Sequence, residues 1–159
     1  MTNTENKKCV IYTRKSHDDT KESLDNQWNT CVDYIRSSDN WELAQKHYSD
    51  DNLSEEILDR PGLNELIHDV INNLIDVVVV HSIDRLSYLM SDFIELIELF
   101  NEHNVSLVSV TQNFDTSTTI GKQILSILQP FVQFELKMAL KCIEKEIHIQ
   151  KICRRLSLK

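Results

Sequence analysis

Asp76-Val77-Val78-Val79-Val80 is the stretch that decides the fold. A run of β-branched apolar residues gives an extended segment no polar face, so both of its sides must be covered. That pattern marks a strand of a parallel sheet with helices on either side. Upstream, Leu63, Leu66, Ile67, Val70, Ile71 and Leu74 recur at helical spacing, and Pro61 suits the first turn of that helix. Downstream, a loop from His81 to Ser87 leads to a helix with Phe93, Leu96, Ile97 and Phe100 inward, then to a strand over Val105–Val110. Towards the N-terminus lie a short strand near Leu43–Tyr48, a helix with Trp28, Cys31, Val32 and Ile35 on one face and Ser23 as its cap, and a first strand ending in Cys9-Val10-Ile11-Tyr12-Thr13. Strands and helices alternate throughout. The order predicts an α/β domain with a doubly wound, mainly parallel sheet, flanking helices and right-handed crossovers.

Composition narrows the class. A chain of 159 residues with only 2 glycines and 2 prolines is long enough for a proper core and poor in linker material. No apolar run approaches the length of a membrane span, and the polar start Met1-Thr2-Asn3-Thr4 does not read as a signal peptide, so the expectation is a cytoplasmic protein without a membrane partner. The 4 cysteines are far apart; Cys9 and Cys31 read as buried reduced thiols. The histidines show no metal-ligand spacing, so zinc is not expected. The net charge of −8 runs against a generic nucleic-acid binder, although Lys151, Arg154, Arg155 and Lys159 concentrate positive charge at the end.

In a sheet of this kind the C-terminal ends of the parallel strands share one edge, and ligands bind there at the switch point. The first strand brings Tyr12, Arg14 and Ser16, which alternate and so share a face. The second brings Asp50 and Asp51, and the third Asp84 and Arg85. Taken singly, Asp84-Arg85 is a local ion pair, Asp51 a turn residue and Arg60 a helix start. Convergence on one edge is what points to a site.

After the fourth strand the pattern changes. Asp115-Thr116-Ser117-Thr118-Thr119 reads as a mobile polar loop whose Ser or Thr caps the next helix. That long helix runs from beyond Gly121 to at least Glu146. Its apolar residues, from Ile124 through Phe134, cover more circumference than one domain face can bury, and a homodimer seam is the simplest use. The expected division is 1–118 for the α/β domain, 119–150 for the long helix and 151–159 for a basic tail.

A series of segments resembles the catalytic domain of the serine recombinases, the resolvase and invertase family, and above all its large phage-type members. The segments are Tyr12-x-Arg14-x-Ser16, Ser23-Leu24-x-x-Gln27, Asp51-x-x-Ser54, Arg60-Pro61-Gly62-Leu63, the valine strand, Asp84-Arg85-Leu86-Ser87, Val108-Ser109-Val110-Thr111, Phe114-Asp115-Thr116-Ser117-Thr118 and Gln133-Phe134-Glu135. The resemblance implies site-specific DNA recombination through a phosphoserine–DNA intermediate. It makes Ser16 the nucleophile and Arg14, Arg60 and Arg85 the groups that stabilise the phosphoryl-transfer transition state. Asp84 and Asp51 orient the arginines, and Tyr12, Gln27, Ser54 and Glu135 support them. It implies DNA as partner, a homodimer, a tetramer in a synaptic complex, association with a full-length recombinase, and no metal or cofactor.

The chain also departs from the family pattern. The arginine expected after Asp-Arg-Leu-Ser is Tyr88, and the arginine expected after Glu135 is Leu136. Loss of a charged donor next to the phosphate costs a few kcal/mol of transition-state stabilisation, roughly two to three decades of rate. Pro130 falls inside the long helix, where a kink or break is expected, and Glu55-Glu56 add negative charge near the site. The sequence carries no counterpart of the family's C-terminal DNA-binding region, so weak site recognition is expected. These departures favour an alternative, a truncated and catalytically impaired remnant that serves only as a dimerisation or regulatory module.

Overall fold

A computed structural model describes residues 6–15, 23–51 and 60–157. The chain divides into two compact units with the boundary between Lys122 and Gln123.

The first unit is built on a sheet of five strands in the order β2-β1-β3-β4-β5. They are β1 (Lys7–Lys15), β2 (Trp41–Asp51), β3 (Val77–Val80), β4 (Ser106–Ser109) and β5 (Phe114–Asp115). The pairs β1–β2, β1–β3 and β3–β4 are parallel, and β5 alone runs antiparallel to β4. The helices are α1 (Leu24–Arg36), α2 (Pro61–Ile71), the single turn α3 (Ile83–Leu86), α4 (Met90–Glu102) and α5 (Thr119–Ser157). The doubly wound, mainly parallel reading holds, and the strand order reverses direction at β1 and β3, which places the switch point between their C-terminal ends.

Strand alternation sorts the core. Cys9, Ile11, Val77, Val79 and Val108 pack on the side covered by Cys31, Val32 and Ile35 of α1, with Trp28 partly buried at the margin. Burial pushes the Cys9 and Cys31 thiols up to about 12, so both stay protonated and unreactive at neutral pH. Tyr12 and Tyr48, paired in the β1–β2 register, point to the opposite side, where the Tyr48 hydroxyl donates to Asp69 of α2 at 2.6 Å.

Three details differ from the sequence expectation. The segment from His81 to Ser87, expected as a loop, folds at its centre into α3. The polar segment at 115 begins in β5 and continues as a tight turn in which Ser117 N–H donates to Asp115 Oδ1; Thr118 Oγ1 accepts from Gly121 N–H at 3.0 Å and caps α5. Leu74 lies beyond the end of α2 and is half exposed. That helix stops because Asn73 takes a left-handed φ of 55°, and Leu74 N–H then closes back on the Asp69 carbonyl at 3.1 Å. Asn104 ends α4 in the same way, with φ 58° and a bond from Val105 N–H to the Phe100 carbonyl at 2.8 Å. Asparagine here does what glycine usually does, in a chain with almost no glycine.

In the second unit α5 continues without interruption across Pro130 to Ser157, so the basic residues Lys151, Arg154 and Arg155 belong to its last turns. Ile124, Ile127, Phe131, Phe134 and Met138 recur every three or four residues and are exposed. No described helix is long and apolar enough to cross a membrane.

Candidate active site

The site begins with the way α2 is attached to β2. Its N-cap residue, Arg60, offers no capping side chain, and Pro61 has no N–H to satisfy. The orphan N–H groups of Gly62 and Leu63 donate instead to the two oxygens of Asp50, at 2.7 and 3.1 Å. Asp50 is thus a cap supplied by the neighbouring strand, and the positive end of the helix suits its charge. This needs a very close approach: a Cβ on Gly62 would lie 2.5 Å from the Ser49 carbonyl oxygen. Arg60-Pro61-Gly62-Leu63 therefore has a packing reason for each member.

Asp50 then organises the arginines. Tyr12 Oη donates to Asp50 Oδ2 at 2.8 Å and accepts from Arg60 Nη2 at 2.6 Å. Arg60 Nε lies 3.9 Å from the same carboxylate, is buried, and makes no hydrogen bond among the described residues. Burial raises the pKa of the Tyr12 phenol while Arg60 pulls the other way, so Tyr12 works as a neutral relay between the two charges.

A second layer is built on α3. Arg14 Nη2 donates to the Asp84 carbonyl at 2.8 Å and Arg14 Nε to the Arg85 carbonyl at 3.1 Å; Arg60 Nη2 reaches that same Arg85 carbonyl at 3.2 Å. One peptide oxygen thus ties together the three segments that carry Arg14, Arg60 and Arg85. Arg85 Nε faces the Asp84 carboxylate at 3.5 Å. Gln27 of α1 grips the Arg14 backbone with both ends of its amide, accepting from N–H at 3.2 Å and donating to C=O at 2.9 Å. The ring of Tyr88 lies over the Arg14 guanidinium, 4.2 Å from Cζ to centroid. Among the described residues three guanidinium groups gather at the sheet edge with the carboxylates of Asp50 and Asp84, and a buried Arg60 N–H finds no acceptor among them. An anion with several oxygens suits such a cluster.

The sequence matches the family described as Resolvase, N terminal domain, over residues 9–149. The chain belongs to that family. Among curated relatives, the Transposon Tn917 resolvase of Enterococcus faecalis is 36% identical over 100 residues, 58% of this chain and 52% of the relative. The chain spans about half the length of the curated resolvases it matches. Among solved structures, the N-terminal catalytic domain of TP901-1 integrase superposes with a TM-score of 0.74 at 32% identity, covering 83% of this chain and 98% of that one. A resolvase family site-specific recombinase from Streptococcus pneumoniae gives a TM-score of 0.77 at 22% identity over 92% of this chain and 98% of that one, a likeness of fold.

Within this resolvase-type domain, Tyr12, Arg14, Gln27, Arg60, Asp84 and Arg85 come together. Ser16 and Ser54 lie outside the described residues, as do Glu55 and Glu56. Asp51, expected to orient an arginine, is exposed; the carboxylate that meets Arg60 is Asp50. The signal for Asp50 was available in the alternation of β2, because a residue two places from Tyr48 shares the face that carries Tyr12 and Arg14. Glu135 is exposed on α5 in the second unit. Among the described residues no group of three or more His, Cys, Asp or Glu is placed to hold a metal ion.

Proposed function

We propose that this chain is the catalytic domain of a serine recombinase that carries out site-specific DNA recombination. The observation that carries the reading is the convergence of Arg14 and Arg60 on the Arg85 carbonyl, at the end of the strand that leads directly into Ser16. In the proposed step Ser16 Oγ forms a bond to phosphorus of a DNA phosphodiester and the bond from phosphorus to one sugar oxygen breaks. The serine proton is lost and the sugar oxygen gains one, leaving a phosphoserine link and a free hydroxyl. Because one phosphoester replaces another, religation by reversal needs no external energy. Arg14, Arg60 and Arg85 supply planar donors to the charge that develops on the phosphoryl oxygens. Asp50 holds Arg60, Asp84 holds Arg85, and Gln27 sets the backbone from which Arg14 projects.

The partner proposed is DNA in the cytoplasm. The exposed apolar series on α5 supports a homodimer, with a tetramer in the synaptic complex and mixed assembly with a full-length recombinase as further states. No cofactor is invoked.

The test is to incubate the full chain with supercoiled and nicked crossover-site DNA, denature, and look for protein covalently joined to DNA. The expected adduct disappears in Ser16→Ala. No adduct on any such DNA rejects the reading and leaves the dimerisation-module alternative.

A further inference from the structure

We propose that Tyr88 is a positioning residue that fixes the Arg14 guanidinium by packing its ring face against it, and so takes a structural part in the site in place of the charged donor expected at that position. The proposal rests on the recombinase reading for its consequence in catalysis, but not for its geometry.

The two kinds of contact on Arg14 restrain different motions. Nε and Nη2 donate in the plane of the guanidinium to the Arg85 and Asp84 carbonyls, which sets its rotation within that plane. Hydrogen bonds of this kind resist tilting out of the plane only weakly. Arg14 Cζ lies over the Tyr88 ring, 4.2 Å from its centroid, so the ring blocks movement of the guanidinium towards it, a restraint the two carbonyls do not supply. A cation over an aromatic face is attracted by the ring quadrupole, more strongly where water is excluded. Water is excluded on the arginine side: Arg14 is 3% exposed, whereas Tyr88 is 47% exposed. One face of the ring therefore shields the guanidinium while the rest meets solvent.

The backbone delivers Tyr88 to this place. Ser87 is extended, with φ −153° and ψ 144°, immediately after the α3 turn, and its N–H closes on the Ile83 carbonyl. Ser87 Oγ donates to the Leu89 carbonyl at 3.0 Å and spans Tyr88. The residue is pinned on both sides, so its ring is held over Arg14 at little further entropic cost.

This geometry reverses the simple expectation for the site. Were Tyr88 merely a lost donor, Tyr88→Arg would repair it. An arginine at that position restores a charged donor but removes the ring that holds Arg14, so the same change is expected to bring no gain. The ring, not the hydroxyl, makes the contact, so Tyr88→Phe should be silent.

The test uses the full chain with arginine labelled in its side-chain nitrogens. The Arg14 Nε–H resonance, assigned through Arg14→Lys, should carry a ring-current shift and exchange slowly with solvent. Tyr88→Phe should keep both properties, and Tyr88→Leu should lose the shift and exchange faster at an unchanged melting temperature. In the adduct assay Tyr88→Leu should react about tenfold more slowly at unchanged DNA affinity, Tyr88→Phe should match the parent, and Tyr88→Arg should be no faster than the parent. An Arg14 resonance indifferent to Tyr88→Leu overturns the proposal, as does a Tyr88→Arg chain faster than the parent. If the parent itself forms no adduct, the recombinase reading fails alone, and the Arg14 resonance still decides whether Tyr88 holds the guanidinium.

Discussion

The two units of this chain handle the same amino-acid types in opposite ways. In the first, apolar side chains vanish into a sheet covered by helices, while charged groups such as Arg14, Arg85 and Asp50 are also buried, each with a partner. In the second, a single helix leaves Ile127, Phe131 and Phe134 exposed and carries its charges in solvent. A lone helix has no interior, so its apolar residues await a second surface and its charges cost nothing to keep hydrated. A sheet edge wrapped by helix ends is different. There a charge must be matched, and the matching is specific enough to shape a site.

The contrast can be broken by substitution, and the largest effect is expected at Asp50. Asp50→Ala removes the cap of α2 and the counter-charge of Arg60 together, and should destabilise the first unit by about 3–5 kcal/mol in urea unfolding. A carboxylate removed from the solvated helix, as in Glu144→Ala, should change stability by no more than about 0.5 kcal/mol. Similar losses from both would erase the distinction.

Next in size is the exposed apolar series of α5, proposed as a dimer seam. Ile127→Glu should weaken self-association about a hundredfold by sedimentation, roughly 2.8 kcal/mol, without lowering the melting temperature of the first unit. An unchanged sedimentation profile would remove the dimer role of α5. Gly62→Ala probes the close approach of α2 to β2, and a loss of about 1–3 kcal/mol is expected because the new methyl meets the fixed Ser49 carbonyl. A neutral result would mean that the helix end can retreat.

The smallest effect is set by pH. His47 is stacked on Trp28, with ring centroids 4.3 Å apart, and lies 2.9 Å from Thr13 Oγ1; burial lowers its pKa. The unfolded chain therefore takes up a proton that the folded one resists. Stability should be fully present above the ordinary histidine value of about 6.5 and decline as the pH falls through it. His47→Gln should flatten that decline in unfolding measured between pH 5 and 8. The second unit has no such buried histidine, since His148 is exposed.

Much of the fold was readable beforehand. The valine strand, the alternation of apolar runs and the proline that opens α2 each follow from local periodicity and steric rules, which act over a few residues and survive without the rest of the chain. The elements that escaped were short or defined by partners elsewhere. A four-residue turn such as α3 has too few positions to show a period, and the two residues of β5 become a strand only because β4 lies beside them.

The site divides in the same way. Arg14 and Arg85 stood out as candidates because their type suits an anion and the strands that lead to them end on a common edge, whereas Arg60 came only from the resemblance. The choice between Asp50 and Asp51 turned on which face of β2 meets Tyr12, a matter of register between strands. Sequence alone determined the class of fold and the family, because those depend on residue type and order. Only tertiary structure decided that Asp50 anchors Arg60, that one Arg85 carbonyl gathers two arginines, and that Tyr88 covers Arg14. Each of these depends on distances between segments far apart in the chain, which only folding brings within contact.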